Sequence, residues 1–205
     1  MTALTPLPLA VVMVAGPQIL SAIFLATSED WRWNSAAFVF GACLSISLIV
    51  TIAFLFGSGT PRQGGSRRTL HLIVFVLLLF AMVHVYLKRE QSEPPKWMGK
   101  LASANPRFSF RLGFLLLGFF PTDLFTSVAV GTFLSANSAP LTDSAGFIFL
   151  TVLFLALPSL MLVLFGERAE ALLPKIRTWM NTNSWIVNEV VILFFIAMTI
   201  NNIIG

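Results

Sequence analysis

The feature that most constrains this chain is the recurrence of apolar runs about twenty residues long, the length at which a helix rising ~1.5 Å per residue crosses the ~30 Å hydrocarbon core of a bilayer. Six such runs are legible: about Leu7–Ala26, Ala36–Phe56, Thr69–Leu87, Ser109–Leu134, Gly146–Phe165 and Trp185–Ile204. Only 11% of the 205 residues are charged and 57% are hydrophobic. That leaves too little polar surface to cover a soluble globule. The sequence predicts an all-α, polytopic membrane protein with a single integral membrane domain over 1–205.

The longest polar segment, Lys88–Arg107, separates three spans from three, so repeat 1 covers about 7–87, a basic linker 88–107 and repeat 2 about 108–205. The loops after spans one, three and five carry ten Lys and Arg: Arg32; Lys88, Arg89, Lys96, Lys100, Arg107 and Arg111; Arg168, Lys175 and Arg177. Three, Arg62, Arg67 and Arg68, lie on the other side. The positive-inside rule then places the protein in the cytoplasmic membrane with both termini outside the cytoplasm. No basic residue precedes the first run, which is therefore read as a retained span and not a cleaved signal. The net charge of +4 is accounted for by these loops, and a nucleic-acid partner is not expected. Glu29, Asp30 and Arg32 with Trp31 and Trp33 mark a membrane interface. Ala169, Leu172, Leu173, Ile176 and Met180 recur at helical spacing opposite Arg168, Lys175 and Arg177, as in a helix lying on the membrane surface, with Pro174 expected to start a second short helix.

Asp123 is the residue hardest to place. A helix entering near Ser109 reaches it after ~21 Å, beyond mid-membrane, where an acid needs a partner, a proton or water. Pro121 marks a break beside it. An odd number of spans per half requires the second half to be inverted, and the first span of each half holds a mid-span proline followed by a polar residue. Gly16-Pro17-Gln18 stands in one and Pro121-Thr122-Asp123 in the other. Paired interrupted helices point to a central transport site. Ordinary proline kinks would explain the prolines alone, but not the acid at one of them. Asp123, Thr126, Ser127 and Gly131 share one helical stripe, as Gln18, Ser21 and Ala22 share another. Close helix packing would account for the small residues on both. The expected substrate or proton site thus comprises Asp123, Gln18, Thr122, Thr126, Ser127 and Ser21, shaped by breaks at Gly16, Pro17 and Pro121.

Other groups carry less. Glu189, near the start of the last span, is a secondary proton candidate, although an interfacial position or a charge pair with an arginine also fits it. His71 and His84 are 13 residues apart, about 20 Å along a helix and too far to share a metal. Cys43 is the only cysteine, which excludes an internal disulfide and a thiolate cluster. Hydrolase and nucleotide-binding motifs do not occur, so no enzymatic activity, cofactor or metal is expected. Lys96, Lys100, Arg107 and Arg111 would face the anionic cytoplasmic leaflet and are weak headgroup-binding candidates.

The six spans in a three-plus-three arrangement, Gly16-Pro17 in the first, Phe120-Pro121-Thr122-Asp123 in the fourth and the basic amphipathic stretch Glu167-Arg168-Ala169-Glu170-Ala171-Leu172-Leu173 before the last resemble the LysE exporter superfamily. Within it the chain is most similar to the GAP or Sap branch, the glycolipid- and sulfolipid-addressing proteins. The resemblance implies an exporter or facilitator whose substrates in this branch are lipids or glycolipids. Amino-acid exporters of the superfamily read Pro-Gly-Pro in the first span and Asn-Pro-Lys in the fourth. Here only Gly16-Pro17 and Pro121 remain, with Thr122-Asp123 in the Lys region. The thiol-transfer members carry cysteines beside these prolines and this chain has none, so a redox role is not expected. The expectation is a transporter of a lipid or glycolipid, or of its headgroup, proton-coupled through Asp123 or passive. An amino-acid or small-solute exporter is the alternative within transport, and a non-transporting membrane adaptor for a lipid-modifying enzyme is the alternative outside it. Membrane lipids are the expected partners, and small-residue faces leave a homo-oligomer open.

Overall fold

A computed structural model describes residues 7–14, 16–57, 101 and 103–183, with isolated positions 79, 83, 87, 186, 189, 193, 196 and 200. No strand occurs among the described residues. The helices are α1 (Leu7–Val14), α2 (Pro17–Ala26), α3 (Trp31–Gly57), α4 (Pro106–Phe119), α5 (Pro121–Ala136), a 3-10 turn (Leu141–Ser144), α6 (Ala145–Phe165) and α7 (Glu167–Thr182). The expected third and sixth spans lie outside the described residues except at the isolated positions, which are helical. The chain forms two compact units, Met1–Thr60 with Lys96–Arg177 and Pro61–Pro95 with Thr178–Gly205. Everything described below belongs to the first unless stated.

The first expected span is two helices. Gly16 sits between them at φ 99 and ψ −137, a region essentially closed to residues with a Cβ, and Pro17 opens α2, where its missing N–H costs nothing. The fourth expected span is also two helices. Phe120 is extended at φ −66 and ψ 128, as the residue before a proline is driven to be, Pro121 starts α5, and the two arms bend by 66°. Asn105 caps α4 by accepting a 2.9 Å bond from the Phe108 amide, with Pro106 at the first helical position. Arg107, read from the sequence as the end of the linker, therefore stands in the first turn of α4.

One face of α3 is built for close approach: Asn34, Ser35, Phe38, Gly41, Ala42, Ser45, Ile46, Val50, Ala53 and Gly57 are buried at helical spacing. A Cβ on Gly41 would strike the Phe110 carbonyl oxygen, one on Gly113 the Phe38 carbonyl, and one on Gly131 the Val50 carbonyl. Backbones this close exploit the packing that small residues allow between membrane helices. The contacts advance together along the chain. Asn34 meets Ala104 and Ser109, Ser45 faces Gly118, Val50 faces Gly131, and Gly57 faces Thr132 and Ser135. The bent pair thus runs parallel to α3 from one end to the other. Arms of 14 and 16 residues, ~21 and ~24 Å long and bent by 66°, reach ~38 Å, against ~35 Å along α3 from Asn34 to Gly57. That length and course fit a broken crossing; counted as one span with α3 and Leu141–Phe165, each long and apolar enough to cross a membrane, it brings the candidate spans among the described residues to three. The break lies level with Ser45–Val50, midway along α3.

α1 and α2 lie against α6, and α2 also touches α3. α7 places Ala169 and Leu173 in a small apolar cluster with Ala26 and Leu162, flanked by Trp31 and Met161. α7 continues through Pro174, where the sequence suggested a fresh start. A proline deletes only its own bond to the carbonyl four residues back, and Glu170, which carries that carbonyl, is exposed.

Candidate functional site: a junction of two broken helices

Gln18 is the second residue of α2 and Asp123 the third of α5, so each break delivers its polar side chain within the first turn that follows the proline. Both side chains are fully buried. Gln18 Nε2 donates to Asp123 Oδ2 at 2.5 Å, across 105 residues of sequence. The other carboxylate oxygen receives only a long 3.4 Å bond from the hydroxyl of Thr122, a residue on the exposed side of α5. Gln18 Oε1 is buried with no hydrogen-bond partner, and it lies beside Gly16. Neither helix has a side-chain cap. Two helix N-termini, each carrying about half a positive charge, therefore converge on one carboxyl group. Asp123 makes no ion pair among the described residues; its support is these dipoles, one amide and one hydroxyl.

The remaining expected site residues divide by what their hydroxyls do. Ser21 donates to the Pro17 carbonyl at 2.6 Å and Thr126 to the Thr122 carbonyl at 2.7 Å, each bonding back one turn within its own helix. Ser127 is fully buried, and its hydroxyl donates to Met13 Sδ at 3.9 Å, a weak acceptor. The structure thus joins Gln18 to Asp123, lines their surroundings with Ser21, Thr126 and Ser127, and leaves Thr122 at the rim.

Other candidates stand apart. Arg107 and Arg111 are exposed on α4, while Lys96, Lys100, His71 and His84 lie outside the described residues. Glu189, in the second unit, is half-buried, and its Oε2 has no hydrogen-bond partner. Among the described residues no group of three or more His, Cys, Asp or Glu is placed to hold a metal.

A second buried polar cluster escaped the sequence reading. Asn34 Nδ2 donates to Ser28 Oγ and to the Ala104 carbonyl, both at 2.9 Å, and Asn34 Oδ1 accepts from Ser109 Oγ at 3.4 Å. Ser28 donates onward to the Leu25 carbonyl at 2.7 Å and Ser109 to Asn105 at 3.0 Å. The cluster ties the end of α2 to the starts of α3 and α4. Its signal was the spacing Asn34–Phe38–Ala42–Ser45, which sets a polar group on the close-packed face of α3.

No curated protein and no solved structure shows a significant match to the chain. A protein-family model does, over residues 7–204, and the chain belongs to that family, described as Sap, sulfolipid-1-addressing protein.

Proposed function

We propose that this protein is an exporter or facilitator of the LysE type that moves a lipid or glycolipid, or its headgroup, across or out of the cytoplasmic membrane. In this reading six spans form two inverted three-helix repeats, both termini lie outside the cytoplasm, and the protein does no covalent chemistry. The single observation that carries it is the hydrogen bond between Gln18 and Asp123, which links the two broken helices midway along α3. Paired interruptions near mid-membrane are how many secondary transporters build a central site, and an intramembrane acid is costly enough to keep only for a purpose. Membership of a sulfolipid-1-addressing family supports a lipid substrate.

Asp123 is the titratable or headgroup-binding group, and Gln18 holds it across the junction while offering its unpartnered Oε1 to a passing donor. The glycine at 16 and the prolines at 17 and 121 fix the breaks, and the basic residues at the linker, Lys96, Lys100, Arg107 and Arg111, gather anionic headgroups at the cytoplasmic leaflet. Flux of labelled lipids and of amino acids in proteoliposomes, wild type against Asp123→Asn, tests the reading. Lipid flux that falls with Asn supports it. Full flux with Asn removes the carboxyl from the mechanism, amino-acid flux alone favours a small-solute exporter, and no flux of any substrate favours a membrane adaptor.

A further inference from the structure

The two helix breaks are held in different ways. α4 and α5 are locked to α3 on either side of the bend at Phe120, by contacts at backbone distance. In order along α3, the Phe38 carbonyl faces Gly113, Gly41 faces the Phe110 carbonyl, Ser45 faces Gly118, the Val50 carbonyl faces Gly131, and Gly57 faces Thr132. From Phe38 to Gly57 the row runs ~29 Å along α3. The residues that flank each of these glycines carry a Cβ, so sliding the helices by one residue drives carbonyl oxygens into side chains, and a close-packed seam of this kind does not deform by degrees. Asn34 adds a polar tie at the start of the row, to the Ala104 carbonyl and to Ser109. The 66° bend is thus fixed at both arms.

The break at Gly16 has no such neighbour. A Cβ there would meet only the side chain of Gln18, at 3.4 Å, and φ 99 with ψ −137 is a conformation that glycine enters and leaves readily. α1 and α2 lie against α6, whose two hydroxyls, on Thr151 and Ser159, donate to carbonyls of their own helix. The two ends of α2 are tied to α3–α5 unequally. Its C-terminal end passes by a short turn into α3, and there Ser28 accepts from Asn34 at 2.9 Å. At its N-terminal end the Gln18 amide stands on Asp123, and beyond the break Met13 of α1 meets Ser127 at 3.9 Å. One end is continuous with α3. The other is held by side chains.

We propose that α3, α4 and α5 form one rigid frame and that α1 and α2 form a strap, hinged where α2 enters α3 and latched to the frame by Gln18 on Asp123. The moving boundary then does not follow the two proposed repeats, since α3 belongs to the first and α4 and α5 to the second. Of the two paired breaks, only the one at Gly16 bends. That the motion admits substrate to the junction rests on the transport reading above; that it occurs does not.

Distances between spin labels test it, by double electron–electron resonance on the full chain with Cys43→Ala in nanodiscs of phosphatidylglycerol and phosphatidylcholine. Labels at the exposed positions Leu115 and Phe125 read across the bend, and labels at the exposed Val11 and Leu48 read the strap against the frame. Opening the latch with Gln18→Ala is expected to shift the Val11–Leu48 distance by about 5 Å, one helical turn, and to leave the Leu115–Phe125 distance as it is with Gln18 in place. A strap distance that stays put, or a bend distance that moves as far, overturns the proposal. A staple gives the second measurement. A Cβ on Gly118 would stand 3.6 Å from that of Ser45, within the span of a disulfide, so Ser45→Cys with Gly118→Cys ties α4 to α3 beside the bend. Equal flux in the oxidised and reduced forms supports a seam that stays shut, whereas flux stopped by oxidation and restored by reductant overturns the frame. Absence of flux from both forms counts against the transport reading alone, and the strap then stands or falls on the label distances.

Discussion

Two buried polar clusters stand about half a membrane apart in this protein, and their hydrogen-bond accounts differ. Around Asn34 every side chain is neutral: both amide N–H groups have acceptors at 2.9 Å, and the oxygen meets the Ser109 hydroxyl at 3.4 Å, whose one proton it shares with the Asn105 carbonyl. Around Gln18 and Asp123 one group is an acid, an amide oxygen is orphaned, and a buried serine finds only a sulfur. Satisfied neutral networks fix helices in place. A junction that leaves buried acceptors empty carries an energetic penalty of about 1–3 kcal/mol for each, and such a penalty persists where something else comes to fill it. The comparison separates a fastener from a site, although both are equally buried.

The largest expected effect is on the site. Asp123→Asn keeps size and lets Gln18 Nε2 donate to the new amide oxygen, so unfolding in detergent, followed by tryptophan fluorescence, is expected to shift by less than about 1 kcal/mol. Flux in proteoliposomes is expected to fall about a hundredfold, equivalent to ~2.7 kcal/mol. A large stability loss with unchanged flux per folded molecule would make the junction a second fastener. Asn34→Ala is the reciprocal test. It strands the Ala104 carbonyl and cuts the ties to Ser28 and Ser109, which keep their own backbone acceptors, and a loss of about 2 kcal/mol in stability is expected with flux per folded molecule intact. Reduced flux in the folded fraction would erase the distinction.

The site was the more legible of the two because its residues break local rules. A proline in mid-span and an acid beyond mid-membrane are anomalies that a single sequence displays, and the matching break at Gly16-Pro17 supplied the partner. Asn34 breaks no rule: a polar residue near the end of an apolar run reads as interfacial, and only the approach of α4 shows that it is fully buried. The passage of α4 and α5 along α3 was hidden for the same reason. Gly41, Gly113 and Gly131 announce close packing, but which glycine meets which carbonyl is a long-range fact. Pro174 misled in the opposite direction, since a proline on an exposed helix surface loses one bond that water or headgroups replace.

A smaller effect is expected from the backbone of the break. Gly16→Ala places a Cβ at φ 99, and the nearest side-chain atom it would meet, Gln18 Oε1 at 3.4 Å, is at ordinary contact distance. The cost is thus conformational, about 1–2 kcal/mol, and is expected in thermal unfolding together with a several-fold loss of flux as Gln18 turns away from Asp123. An unaltered unfolding temperature would mean that the glycine's conformation is not what sets the angle between α1 and α2.

The smallest expected effect decides how far the site extends. Ser127 is fully buried one turn beyond Asp123, with only the 3.9 Å approach to Met13 Sδ as a partner. Removing a hydroxyl that is already nearly unpaired relieves a desolvation cost, so Ser127→Ala is expected to leave stability within about 0.5 kcal/mol of wild type or slightly raise it. If the hydroxyl belongs to the transport site, flux falls while stability holds, because the group is kept for a donor or acceptor that arrives only with substrate. If flux and stability are both unchanged, the site ends at the Gln18–Asp123 bond, and Ser127 is a small residue retained to let α5 approach α1. A stability loss of 1 kcal/mol or more would show a hydrogen bond that belongs with the Asn34 type of cluster, and would move Ser127 from the site to the frame.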